Sequence, residues 1–168
     1  MNNIDIANGL VFQQLGIHKD NFNDRLIAQK KIYLLQVLGI DLGYHYNWYL
    51  HGPYSPSLTN YMYANWDWMQ ESDEILSPYK LSARANDSVQ RVNKLAQQSE
   101  QADLGEAAWY ELLASLHYIY QNSKSWAVQG INEVFEKLRQ YKPQYSEEQC
   151  HEAFNVLLQE GFCQMKEV

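Results

Sequence analysis

Apolar residues recur along most of this chain at the spacing of α-helices. Between residues 4 and 15 they fall near one helical face, and Gly16 provides a suitable end. The stretch from about Asn23 to Leu38 is apolar on most of its sides, which is typical of a helix at the centre of a domain. The pattern therefore predicts an amphipathic helix followed by a buried one.

Further helices are predicted downstream from the same spacing and from capping residues. Ser55-Pro56 suits the start of a helix to about Gln70, and Ser146 with Gln149 has the capping-box pattern of a last helix. The remaining helices are expected after Asn86 or Asp87, over 106–121 with a wide apolar surface, and over 126–141 with Ser125 as the cap.

One segment has the periodicity of a strand. The residues Tyr44, Tyr46, Trp48 and Leu50 alternate with His45, Asn47 and Tyr49. Gly52-Pro53 then breaks this period of two. This predicts a short strand or a β-ribbon arm near 44–50. Residues 79–82 are either a second short strand or an extended connector.

These elements predict a single, mainly α domain over residues 1–168. It is a compact bundle of about seven helices with a short β-ribbon or strand near 44–50. Its length and its hydrophobic content of 46% suit one conventional core. The closing segment 151–162 is either the second helix of a helix hairpin or part of a winged-helix-like element.

Composition narrows the classes of function. Aromatic residues make up 14% of the chain, which indicates either boundary packing with hydroxyls at the core's edge or an adhesive aromatic surface. A net charge of −7 argues against general binding to nucleic acid. The basic residues that could still serve a nucleic-acid-binding alternative are Lys30, Lys31, Arg84, Arg91 and Lys94.

Neither a signal peptide nor a membrane span is expected. Polar residues interrupt the first 17 positions, and no apolar run approaches the roughly 20 residues that cross a bilayer. We therefore expect a cytoplasmic protein without a membrane partner, in which Cys150 and Cys163 are reduced.

The sequence lacks the motifs of common catalytic sites. It has no GxxxxGK[ST], GxGxxG, GxSxG or HExxH pattern. Cys150 begins the last predicted helix, where the helix dipole favours a thiolate, but nearby carboxylates oppose that charge. We therefore predict no catalytic, cofactor-binding or metal-binding residue, and a protein that is not an enzyme.

Residues 48–56, WYLHGPYSP, hold three aromatic residues, a histidine and a Gly-Pro breaker. Such a segment is either a contact surface, since Trp and Tyr dominate interface energetics, or a structural elbow locked onto the core. Both can hold together. The candidate protein-binding residues are Trp48, Tyr49, His51, Tyr54, Tyr63 and Trp68.

The same region resembles a known family. Residues 30–36, KKIYLLQ, followed by WYLHGPYSP, resemble the YwgA-like family of uncharacterised prokaryotic proteins, which share a K-x-x-Y-L-x-Q helix and then W-Y-x-x-G-P-Y-S-P. Residues 112–118 and 145–162 are similar in style, although only 30–58 are specific. The helix-then-GP pattern is more distantly similar to the Panacea domain of antitoxins and phage-associated proteins.

The Panacea likeness implies a non-enzymatic partner protein, in many cases an antitoxin that neutralises a toxin by direct binding. The YwgA-like family implies a fold and a prokaryotic origin but no catalytic residues. We therefore expect a protein-binding or regulatory module, antitoxin-like or phage-defence-associated, whose acidic surface suits a basic partner such as a nuclease toxin.

Other functions remain open at this point. One alternative is a winged-helix-like regulator that binds nucleic acid. Another is a small-molecule sensor or an enzyme with an aromatic pocket around 44–54, and a last is a structural or oligomerisation role. The sequence names neither a partner nor an oligomeric state.

Overall fold

Two helices that are buried on most of their sides form the centre of the fold. In the computed structural model, which describes residues 1–164, α2 spans Phe22–Val37 and α6 spans Glu106–Gln121. Leu34 and Leu35 point in different directions around α2, yet both are fully buried, as are Trp109 and Tyr110 on α6. The broad apolar surfaces of these two helices are explained by their central position.

Six further α-helices surround this pair within residues 1–164. Against α2 pack α5 and the hairpin described below, and against α6 pack α7 and α8. The predicted mainly α bundle is confirmed, with eight α-helices and a 3-10 turn at Leu95–Gln98. The six are α1 (Asn3–Leu15), α3 (Pro56–Gln70), α4 (Asp73–Leu76), α5 (Ala83–Lys94), α7 (Gly130–Tyr141) and α8 (Glu147–Gln159).

A two-stranded antiparallel hairpin connects α2 to α3. Strand β1 covers Asn47–Tyr49 and β2 covers Gly52–Tyr54, with Trp48 opposite Pro53. The predicted ribbon is therefore present, but β1 is shorter than the alternating pattern. The return strand begins at the Gly-Pro pair because Gly52 adopts a φ of +87°, which turns the chain back.

Several predicted boundaries differ from the structure for local reasons. Helix α5 begins earlier than predicted because Ser82 caps it by accepting a bond from Ala85 N at 3.1 Å. Helix α7 begins later, at Gly130, since the positive φ of Ala127 interrupts the helical backbone before it. Residues 79–82 form the extended connector rather than a strand.

The capping prediction for the last helix is confirmed. Gln149 N donates to Ser146 Oγ at 3.1 Å, and Ser146 N donates to Gln149 Oε1 at 3.0 Å. These reciprocal bonds satisfy two backbone donors that the first turn of a helix leaves unpaired.

Across the described chain, every helix is too short or too polar to cross a membrane.

Candidate functional site

The hairpin is held from beneath by two buried lysines. Lys30 on α2 donates from Nζ to the carbonyl of Pro53 at 2.6 Å, and Lys142 after α7 donates to the carbonyl of Leu50 at 3.1 Å. Both lysines are almost completely buried, at 1% and 3% exposed. Because a buried ammonium group needs hydrogen-bond acceptors, these contacts hold the backbone on both sides of the turn in place.

One carboxylate serves the basic groups beneath the hairpin. Glu111 on α6 is buried and lies 3.1 Å from Lys142 Nζ through Oε1 and 3.3 Å from His51 Nδ1 through Oε2. Tyr145 also donates its hydroxyl to Glu111 Oε1 at 3.0 Å. With Lys30 nearby, two lysines and a histidine surround this single carboxylate.

Burial is the main reason that the pKa of Lys30 falls from 10.5 to about 7. The charge of Glu111 acts in the opposite direction, and that of Lys142 lowers the pKa of Lys30 further. At neutral pH the lysine is therefore divided between its charged and neutral forms. This division limits the repulsion between two ammonium groups that share one carboxylate.

The hairpin backbone rests directly on α6 at Gly52. A Cβ atom built on Gly52 would lie 2.3 Å from Ser115 Oγ. The positive φ of Gly52 disfavours any other residue for a second, independent reason. Glycine therefore allows both the turn and the close approach of the hairpin to α6.

The outer side of the same hairpin faces solvent. Leu50 is 86% exposed and Tyr49 is 44% exposed, and His51 is also exposed. Tyr49 packs edge to face on Tyr54 with ring centroids 5.3 Å apart, and Phe22 does the same on His51 at 5.0 Å. The segment is thus an elbow on its inner side and an open aromatic surface on its outer side.

A pocket of about 240 Å³ opens beside this surface. Its walls come from α2, from α3 and from the hairpin, with Leu26, Met62 and Tyr54 as representatives of the three. We define the hairpin patch as the pocket's exposed rim together with the hairpin tip. Its members are Phe22, Tyr49, Leu50, His51, Tyr54 and Tyr63.

Four of the six candidate binding residues lie in the hairpin patch. They are Tyr49, His51, Tyr54 and Tyr63. Trp48 lies on the other face of the hairpin. Trp68 lies on α3 beside Gly9 of α1 and donates from Nε1 to Asn65 Oδ1 at 2.9 Å.

The surroundings of Trp48 are aromatic. Its ring packs on Trp126 at 4.9 Å, on Tyr118 at 5.8 Å and on Tyr141 at 6.0 Å between centroids. Lys142 Nζ lies 5.7 Å from the Trp48 ring centroid, within the range of a cation–π contact. Trp48 therefore attaches the hairpin to α6 and to the region around α7, and its position is that of a structural anchor.

Two exposed members of the hairpin patch, Phe22 and Leu50, are not among the candidate binding residues predicted from the sequence. Phe22 is 52% exposed at the first position of α2, and Leu50 was assigned only to the strand pattern. Phe22, Leu26 and Gln29 follow helical spacing and line one wall of the pocket. That spacing was visible in the sequence, but nothing in it shows that α3 and the hairpin stand opposite.

The aromatic stretch before the hairpin contributes mainly to packing. Tyr44 donates its hydroxyl to Asn8 Oδ1 at 2.5 Å, and Tyr46 donates to the carbonyl of Gln29 at 2.8 Å. A more open groove of about 850 Å³ runs beside this aromatic stretch, and His117 lies on the wall of the groove. Burial lowers the pKa of His117 to about 4, and its Nδ1 lies 2.7 Å from the hydroxyl of Tyr33.

Two of the five basic candidates for nucleic-acid contact are buried inside the protein, and Arg84 and Lys94 are exposed. Lys30 and Lys31 are 1% and 8% exposed, so neither presents its charge to a phosphate backbone. Arg91 donates to the carbonyl of Glu160, and Lys94 Nζ lies 3.8 Å from Glu160 Oε1. A continuous basic surface is therefore not formed by these four residues.

Both cysteines are buried, and burial raises the pKa of Cys150 to about 11 and that of Cys163 to about 12. Each side chain is therefore a protonated thiol at neutral pH. A protonated, buried thiol is a poor nucleophile. The position of Cys150 near the start of α8 does not activate it, because desolvation is the largest influence on its pKa.

Comparison of the chain with protein-family models, with curated proteins and with solved structures finds no match.

Proposed function

We propose that this chain is a non-enzymatic protein-binding module, antitoxin-like or otherwise regulatory, and that the hairpin patch is its contact surface. The observation that carries the proposal is the exposure of Leu50 and Tyr49, at 86% and 44%, on a hairpin whose backbone is fixed from beneath. Large side chains held outward on a fixed backbone are suited to burial by another protein.

The fixed backbone of the hairpin favours a higher affinity for a partner. Association loses the conformational freedom of every segment that becomes ordered on binding, so a segment that is already ordered binds more tightly. Lys30 and Lys142 hold carbonyls on both sides of the turn, and Gly52 seats the hairpin against α6. Tyrosine adds a large contact area with few rotatable bonds, which is why it is frequent at interface hot spots.

The resemblance to the Panacea domain supports the same class of function, with a toxin or a phage-defence protein as the partner. The net charge of −7 favours a basic partner at long range, because it speeds encounters between oppositely charged proteins. The net charge of the chain acts on a whole partner at long range. At the contact itself, the charges of the residues that line the pocket decide which side chain of the partner is favoured.

The test is affinity capture from the native host, followed by mass spectrometry, with matched variants. Tyr49→Ala combined with Leu50→Asp removes the exposed tip of the hairpin patch, and we expect it to abolish capture of the partner. The melting temperature should stay within about 2 °C of the wild type, because surface substitutions usually change stability by no more than about 0.5 kcal/mol.

The control variant carries closely matched changes elsewhere on the surface. Tyr79→Ala and Ile4→Asp alter residues that are 50% and 63% exposed and lie outside the hairpin patch. The control should capture the partner as the wild type does. If the Tyr49 and Leu50 variant retains the wild-type partner, the hairpin patch is not the contact surface.

A further inference from the structure

The pocket beside the hairpin is lined by basic side chains and by no carboxylate within the described residues. Arg25 and Lys30 on α2 and His51 at the turn all contribute to its lining. Over residues 1–164, neither Arg25 nor Lys30 has a carboxylate within 4.0 Å. The charge at the pocket is therefore opposite to the net charge of the chain.

The guanidinium group of Arg25 has more N–H donors than its hydrogen bond within residues 1–164 uses. One of its N–H groups donates to the carbonyl of Lys19 at 3.0 Å. A guanidinium group carries five N–H donors in a planar fork that matches the two oxygens of a carboxylate. Arg25 is only partly buried, so an incoming group can reach it from solvent.

The rest of the pocket is suited to an aromatic ring. Leu26 and Met62 are buried apolar residues in its walls, and Phe22 and Tyr63 stand exposed at its rim. A dry cavity of about 150 Å³ is known to bind benzene. The 240 Å³ found here therefore has room for a ring together with a polar group beside it.

We propose that the pocket binds an aromatic side chain of the partner protein that stands next to an acidic residue, and that Arg25 pairs with the acidic side chain. This inference rests on the proposed function and specifies the part of the partner that enters the site. Charge complementarity selects this occupant, because Glu111 is already shared by Lys142 and His51. A basic side chain entering the pocket would add a further cation to a region with too few carboxylates.

A pair of short peptides tests the recognition itself. The probes are the blocked dipeptides acetyl-Trp-Glu-amide and acetyl-Trp-Gln-amide, which differ only in the charge of one side chain. Binding is followed by NMR on protein labelled at the methionine methyl groups. Met62 lies in the pocket wall, and Met69 on the same helix lies outside it and serves as an internal control.

We expect the acidic peptide to shift the Met62 signal but not that of Met69, and to bind at least fivefold more tightly than the neutral peptide. Arg25→Gln should remove that difference. Arg84→Gln changes an exposed arginine outside the pocket and should preserve it. Equal binding of the two peptides to the wild type, or no shift of Met62 at millimolar peptide, would overturn the proposal.

The same Arg25→Gln variant separates this inference from the proposed function when it is used in affinity capture. Loss of the partner by Arg25→Gln as well as by the Tyr49 and Leu50 variant is the expected result. Full capture by Arg25→Gln, with loss only at the hairpin tip, overturns the acidic-aromatic occupant and leaves the hairpin patch as the contact surface. Capture by both variants overturns the two proposals together.

Discussion

Gly52 is the residue on which the seating of the hairpin depends. Its φ of +87° turns the chain into β2, and the absence of a Cβ lets the backbone touch Ser115 on α6. These two requirements coincide at one position, so their contributions to stability need a comparison that separates them. Gly43 offers one, since its φ is +83° and a Cβ there would meet nothing within 4 Å.

Gly43→Ala should lower the free energy of unfolding by about 1–2 kcal/mol, the usual cost of a left-handed backbone for a residue with a side chain. Gly52→Ala should lower it by about 1–3 kcal/mol more, because the new methyl group collides with Ser115. Urea denaturation measures both variants. Equal losses would show that backbone conformation alone explains the glycine at position 52.

The buried side chain of His117 makes the free energy of unfolding depend on pH in the acid range. Burial lowers its pKa from 6.5 to about 4 in the folded protein, so between these values the unfolded chain binds a proton that the folded chain does not. The free energy of unfolding therefore falls as the pH decreases through this window. The contribution of this one residue is about 3 kcal/mol, from about 1.4 kcal/mol per pKa unit.

His117→Gln isolates that contribution, since glutamine can still hydrogen-bond the hydroxyl of Tyr33 but does not titrate. Urea denaturation at pH 7 and pH 4.5 should show a smaller loss of stability for the variant than for the wild type. Carboxylates titrate in both proteins and cancel in the comparison. Parallel losses would mean that His117 is not held neutral by the fold.

At the scale of elements, the hairpin is joined to the helical bundle by charge as well as by packing. Lys142 and Glu111 are 3% and 7% exposed at their side chains and lie 3.1 Å apart. Such a pair is worth little relative to apolar residues of similar size, but removing Lys142 takes away the one lysine that lies within 4.0 Å of the buried Glu111 in residues 1–164. The attachment is therefore sensitive to single substitutions.

Lys142→Met should lower the free energy of unfolding by about 3–5 kcal/mol. Adding Glu111→Gln should lower it by less than the sum of the two single changes, because the buried carboxylate that lost Lys142 is then gone too. Lys94→Met at the more exposed pair with Glu160 should cost under about 1 kcal/mol. Additive losses at Lys142 and Glu111 would show that the two charges are not coupled.

The periodicity of the sequence was sufficient to predict the central helices but not the site. An apolar pattern on most sides of α2 and a wide apolar surface on α6 identify both helices as buried from local information alone. In contrast, Lys30 was a candidate for nucleic-acid contact, because its acceptor on Pro53 and the nearby Glu111 are distant in sequence. The pocket was missed for the same reason, since its three walls meet only through tertiary packing.

For the molecule as a whole, buried titratable groups predict an unusual pH profile. Lys30, like His117, binds fewer protons when folded, so it adds stability as the pH rises from about 7 towards 10.5. The two thiols act in the opposite direction above their ordinary pKa of 9.0, because burial raises the pKa of both in the folded state. These opposing slopes place the maximum well above the isoelectric point of 5.1.

We expect the free energy of unfolding to be greatest near pH 9, and to rise by about 2 kcal/mol between pH 7 and pH 9 through the deprotonation of folded Lys30. Urea denaturation at fixed ionic strength measures the profile. Lys30→Met should flatten this rise, whereas Lys80→Met, at an exposed position, should leave it unchanged. A wild-type profile that is flat or falling from pH 7 to pH 9 would mean that Lys30 keeps its proton beneath the hairpin. The ammonium group would then remain fully charged next to Lys142, and Glu111 would have to balance both.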